Sequence, residues 1–187
     1  MRQLVVKKAK TKQWFTIVAP KFFGDREIGR TIVSNPNSLI GRRITVSAIE
    51  MSGNVEKYYL KLAFKISKVN GDKAFTEFDG TEILRDYISR MVLHRVRKVE
   101  AVQDLQTKDN VKIRVKSLAV ISRRVKSTIQ LAVRNKLKEM VTEYVTNSTL
   151  EEFIEKILSD EMRNRVLQEL RKIYPVRNFD IRKTEIP

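Results

Sequence analysis

The sequence predicts an α+β protein with a mixed or antiparallel β-rich body, a helical C-terminal third and a basic N-terminal arm. Three observations carry that expectation. Alternating apolar and polar runs broken by Gly, Asn and Pro turns fill residues 13–122, and apolar residues then recur every three or four positions over 127–173. The opening stretch carries Arg2, Lys7, Lys8, Lys10 and Lys12 and no acid. Like-charged and polar, it reads as an arm over 1–12 rather than a core element. With 187 residues, 42% of them hydrophobic, the chain is long enough to bury a core. The expected organisation is the arm and then a single α+β domain over 13–187, closed by a strand over 178–186.

The β-rich part begins at Trp14-Phe15-Thr16-Ile17-Val18, an aromatic and β-branched run stopped by Pro20. A second strand is expected over Ile28 to Ser34, before the turn-prone Asn35-Pro36-Asn37. Arg43 to Glu50 and Val55 to Val69 read as a hairpin across Met51-Ser52-Gly53-Asn54, with Tyr58, Leu60, Leu62, Phe64 and Ile66 facing a core. Asn70-Gly71-Asp72 turns the chain into a strand over Lys73 to Phe78. From Thr81 the period changes, and Leu84, Tyr87, Ile88, Met91 and Val92 share a helical stripe, with Glu82 near its start. Val96 to Gln106 and Val111 to Ile121 form a hairpin around Thr107-Lys108-Asp109-Asn110. In its second arm Lys112, Arg114 and Lys116 alternate with Val111, Ile113 and Val115, which puts the cations on one sheet face.

The last third is helical. Ile129, Val133, Leu137, Met140 and Tyr144 step by three or four residues, and Thr149 with Glu152 forms a capping box ahead of Leu150, Phe153, Ile154 and Ile157. A further helix starts near Asp160, carries Val166, Leu167 and Leu170, and stops before Pro175.

Charge decides the function class. Lys plus Arg number 38 against 22 Asp plus Glu, a formal net charge of +16. Such an excess repels itself in a compact fold and suits a polyanionic partner, nucleic acid foremost. The chain has no Cys and a single histidine, His94, which excludes disulfides, thiolate zinc sites, a Cys nucleophile and a two-His metal site within one chain. No apolar run approaches the roughly 20 residues of a membrane span, and Met1 to Lys12 lacks the apolar segment of a signal peptide. A cytoplasmic protein without cofactor or membrane partner is expected.

Gly24-Asp25-Arg26-Glu27-Ile28-Gly29-Arg30-Thr31 nearly matches a phosphate-binding loop. Arg30 stands where the lysine belongs, and Ile32-Val33-Ser34-Asn35-Pro36 cannot start the required helix. Asp79, Glu82 and Asp86 have the spacing of a metal-holding carboxylate set, although acids in a first helical turn already suit the helix dipole. Arg123, Arg124 and Lys126 are more telling, because they precede the long helix, where cations oppose the dipole unless a phosphate binds. Arg134 and Lys138 continue off the apolar stripe of that helix. Trp14 beside the arm suits either base stacking or a core position. Nothing matches a module that reads base sequence, so the expected contacts are to phosphates.

The order of short motifs resembles the archaeal and eukaryotic small-subunit ribosomal protein family S3Ae. Lys12-Gln13-Trp14-Phe15, Ala19-Pro20, Ile28-Gly29-Arg30-Thr31, Gly41-Arg42 and Phe78-Asp79-Gly80 with Arg85-Asp86 carry the likeness in the first half. Thr107-Lys108-Asp109, Arg123-Arg124, Ile173-Tyr174-Pro175 and Ile181-Arg182-Lys183 carry it in the second. The resemblance implies a structural constituent of the small ribosomal subunit, on its platform near the mRNA exit and the 3′ end of the rRNA. Its partners would be small-subunit rRNA, neighbouring platform proteins and mRNA near the exit. Eukaryotic members carry a lysine-rich C-terminal extension that this sequence lacks, so the likeness is to the archaeal members. The expected RNA-binding residues are Lys7, Lys8, Lys10, Lys12, Trp14, Arg42, Arg43, Lys112, Arg114, Lys116, Arg123, Arg124, Lys126, Arg134, Arg182 and Lys183, with no catalytic or metal-binding residue. Two alternatives remain at this level: an RNA-binding regulator or chaperone off the ribosome, and a metal-dependent nuclease built on Asp79, Glu82 and Asp86.

Overall fold

The computed structural model describes residues 11–187, so the arm residues Lys7, Lys8 and Lys10 lie outside the described part. In chain order the described residues form β1 (Gln13–Val18), β2 (Glu27–Val33), β3 (Arg43–Ser47), α1 (Ala48–Ser52), β4 (Leu60–Asn70), β5 (Lys73–Ile83) and α2 (Arg85–Met91), then β6 (Arg97–Gln106), β7 (Lys112–Ile121), α3 (Ser127–Thr146), α4 (Leu150–Leu158), α5 (Glu161–Ile173) and β8 (Val176–Glu185). This is the expected α+β class: eight strands in a mixed sheet, with the three longest helices in the C-terminal part. Among the described residues two compact units form, one of residues 11–44 and 64–78, the other of residues 45–63 and 79–187.

In the first unit β1 and β2 pair antiparallel, with Trp14 opposite Ile32 and Thr16 opposite Arg30, and β1 runs parallel to the start of β5, with Thr16 opposite Lys73. The two-residue period buries Phe15, Ile17 and Ala74 in a small core with Val33, Leu39 and Ile66, and turns Trp14, Ile32 and Lys73 outward. Gly24, at φ 79, ends a 3-10 turn over Lys21–Phe23. Gly29, Arg30 and Thr31 then lie within β2 itself, so no helix stands behind the phosphate-loop near match.

In the second unit β8 pairs antiparallel with β7, which pairs antiparallel with β6. Val133, Leu137, Met140, Val141 and Val145 form one stripe of α3 and share a core with Val99, Ala101, Ile113, Val115 and Phe179. Burying each such large side chain contributes roughly 1.5 to 3 kcal/mol. Beyond Lys116, where the β7–β8 register shifts, β7 is buried on both faces. Ala119 and Ile121 join the helix-side core, while Leu118 and Val120 meet Met91 of α2. The capping box of α4 is present, and Asp109, from the β6–β7 turn, adds a second acceptor by receiving the Leu150 N–H at 3.0 Å.

A buried polar cluster lies beside that core. Lys57, 2% exposed, pairs with Asp160 and donates to the Ile157 carbonyl at 3.1 Å, while Arg163 approaches Asp180 at 3.5 Å. Burial pushes the Asp180 carboxyl up to about 6 against the pull of the Arg163 and Lys57 cations.

Two expectations are corrected. The strand predicted from Val55 starts only at Leu60, because the connection from β3 folds into α1 and a 3-10 turn over Val55–Lys57. Helical spacing there buries Ala48 and Met51, Gly53 at φ 72 closes the turn, and Tyr58 is left half-exposed. The helix predicted from Thr81 begins at Arg85, so Glu82 lies on a strand. Strand β5 runs on to Ile83 because Gly80, Thr81 and Glu82 pair with Glu185, Thr184 and Lys183 of β8.

Candidate nucleic-acid interface

The β6–β7 register places Arg97 opposite Ile121. The turn entering β6 and the chain leaving β7 therefore emerge at the same end of the hairpin. There His94, Arg95, Ser122, Arg123 and Arg124, all exposed, line a concavity of about 530 Å³. Arg95 holds φ 66, a left-handed backbone that a non-glycine residue adopts uncommonly. Among the described residues no carboxylate lies within ion-pair distance of Arg95, Arg123, Arg124, Lys126 or Arg134. Lys126 occupies the N-cap of α3 without a side-chain cap bond, and the first turn carries no acid. A cation there costs roughly 0.3 to 1 kcal/mol against the helix dipole, a sign that a bound phosphate reverses. Arg134 lies exposed two turns farther along α3.

The cations of the β7 and β8 face are arranged differently. Arg114 forks onto Asp104 at 2.6 and 2.9 Å, which lowers the Asp104 carboxyl from its ordinary range. Lys116 and Lys183 stand opposite each other and share Glu185 at 3.0 and 2.7 Å. Hydrogen bonds from Lys183 and then Lys116 hold that carboxyl down to about 2. Arg182 donates to Glu100 at 3.0 Å. The expected cationic face is thus a ladder of internal ion pairs, with Lys112 exposed at its end.

In the first unit Lys12, Arg42 and Arg43 are exposed, and Arg42 Nε donates to the Ser38 carbonyl at 3.0 Å. Trp14 is 62% exposed, which rules out the core position. His94 and Arg95 are the members of the concavity that reading the sequence as an anion site missed. The signal for them is the β6–β7 pairing itself, whose register brings the flanks of both strands together. Among the described residues no group of three or more His, Asp or Glu is placed to hold a metal ion, so Asp79, Glu82 and Asp86 form no metal site. No described helix is long and apolar enough to cross a membrane.

A small ribosomal subunit protein eS1 of Desulfurococcus amylolyticus is 34% identical over 185 residues, covering 99% of this chain and 87% of that protein. The eS1 proteins of Methanothermobacter thermautotrophicus and Methanopyrus kandleri are each 34% identical, over 95% and 98% of this chain and 91% and 89% of theirs. The profile of the ribosomal S3Ae family matches residues 1–187. Matched along its whole length and by archaeal relatives at this identity, the chain belongs to the ribosomal S3Ae family.

Proposed function

We propose that the chain holds small-subunit rRNA through the cationic end of the β6–β7 hairpin, on the platform of the subunit near the mRNA exit, with platform proteins and mRNA as neighbours. As a family member it is a structural, non-enzymatic constituent of the small subunit of the cytoplasmic ribosome. The observation that carries the RNA site is the contrast between two sets of cations. Arg114, Lys116, Arg182 and Lys183 are ion-paired within the fold, whereas Arg95, Arg123, Arg124, Lys126 and Arg134 face solvent with no described carboxylate to answer them. Such a cluster repels itself until phosphates replace the counterions, and arginine forks suit phosphate oxygens. Folded rRNA is then read by shape and backbone rather than by base edges.

Replacing Arg123, Arg124 and Lys126 together by Ala tests this. Binding to a small-subunit rRNA fragment, measured across a salt series, should weaken. The slope of log K against log salt should become shallower by about two to three, at roughly 0.7 to 0.9 per lost phosphate contact. An unchanged slope refutes the site. Sedimentation of native lysate separates the ribosomal reading from that of a free regulator, since only the former places the protein with small subunits and releases it at high salt.

A further inference from the structure

A second surface, in the first unit, has a composition that the phosphate site does not explain. The face of β1, β2 and β5 turned away from the Phe15–Ile17–Ala74 core carries Trp14, 62% exposed, Ile32, 45% exposed, and Phe75, 38% exposed. Large apolar side chains gathered on one solvent face of a small sheet call for an occupant. Trp14 and Ile32 are direct cross-strand partners, and Phe75 follows Lys73 on β5, which lies parallel to β1 with Val18 opposite Phe75. Four residues along one strand and one strand across, the two rings are roughly 14 Å apart. Arg30 and Lys73 are exposed on the same face, opposite Thr16 on either side, and Lys12 is exposed just before β1 begins. Arg30 is partnered by Glu27 at 2.8 Å, and Glu77 lies beyond Phe75 as the exposed acid of this part of β5.

We infer that this sheet face is a stacking platform for unpaired RNA bases, with Trp14 and Phe75 each taking a base and Lys12 and Lys73 holding the intervening phosphates. This inference rests on the reading of the chain as an RNA-binding subunit protein, and it adds a second class of RNA contact. A duplex hides its base faces, so phosphate forks suffice for it; a single strand offers π-faces, which aromatics on a flat sheet accept without regard to sequence. The cations choose the occupant. A neutral protein partner gains nothing from Lys12 and Lys73, whereas a polyanion is drawn to both.

The chain holds one tryptophan, so its fluorescence reports on this face alone. The full chain is titrated with a ten-nucleotide oligouridylate and, separately, with a blunt duplex RNA of equal length. The expected result is saturable quenching of Trp14 by the single strand and not by the duplex. Phe75→Ala should weaken oligouridylate binding about five- to hundredfold, the range for loss of one base stack. Trp14→Phe should retain binding by filter assay while Trp14→Leu loses it. The Arg123, Arg124 and Lys126 triple variant should keep the quenching while losing affinity for the rRNA fragment, which separates the two sites. If the single strand leaves Trp14 fluorescence unchanged while rRNA binding through Arg123 to Lys126 is intact, the platform is overturned and the phosphate site stands. Crosslinking from position 14 in assembled subunits that reaches only protein overturns it as well.

Discussion

Replacing Gly80 by alanine should be among the most damaging single changes in this chain. Gly80 holds φ 153, where L residues are strained, and an added Cβ would sit 2.0 Å from the Thr184 carbonyl oxygen and 2.9 Å from its carbon. Ordinary carbon-to-oxygen approach stops near about 3.3 Å, so the backbone of β8 would have to retreat by roughly 1.3 Å. That retreat pulls apart the buried Thr81 N–H to Thr184 Oγ1 bond at 2.8 Å and the hydroxyl pair at 3.0 Å. Backbone strain of about 1 to 3 kcal/mol adds to about 1 to 3 kcal/mol for a buried group left unsatisfied, giving an expected loss near 4 kcal/mol. Urea unfolding followed by circular dichroism measures it. Gly29→Ala on β2 is the control, since nothing lies within 4 Å of its added Cβ, and it should be close to neutral. Thr184→Val provides a milder probe of the same joint, at about 1 to 2 kcal/mol, should the alanine variant not fold. A Gly80→Ala protein within about 1 kcal/mol of the parent would show that the β5–β8 pairing is not built as described.

Two further changes test the electrostatics. Lys126→Ser installs a good N-cap and removes a cation from the start of α3, so the free protein should gain about 1 kcal/mol, seen as a melting temperature higher by about 2 to 4 °C, while affinity for rRNA falls. Gains in both quantities would dismiss Lys126 as a phosphate ligand. Asp180 has its folded pKa raised from 3.8 to about 6, so the native state holds that proton more tightly than the unfolded chain does. Its contribution is complete below about pH 4 and disappears as the pH rises through 6, amounting to about 3 kcal/mol at most. Asp180→Asn should flatten stability against pH across that window in stepped urea titrations, and parallel curves for parent and variant would count against the assignment.

Local patterns were legible and long-range ones were not. The capping box at Thr149 and Glu152, the α3 stripe and the β6–β7 hairpin follow from spacing alone, because each is settled by residues close in the chain. The extension of β5 to Ile83 was hidden, since its partner Thr184 lies 103 residues from Thr81. Nor could alternation tell that the sheet is crossed by a parallel β1–β5 contact. The cationic start of α3, with Arg123, Arg124 and Lys126 ahead of a first turn without acids, was readable from the sequence order alone. Lys116 looks like a free cation in sequence because Glu185, which it engages, lies 69 residues away. His94 and Arg95 needed a strand register to bring them to the site.

The start of α3 also bears on how readily the free chain opens there. An unbound chain keeps repelling arginines before α3 and a lysine at its cap, with no acid in the first turn to relieve them, whereas the proposed phosphate contact would. The first turn therefore opens more readily off the RNA than on it, and local opening is what proteases exploit. Limited proteolysis of the protein with and without an rRNA fragment should then cut the start of α3 faster in the free protein, and equal rates would refute the coupling. The Lys126→Ser variant, with a cap supplied, should narrow that difference between free and bound protein.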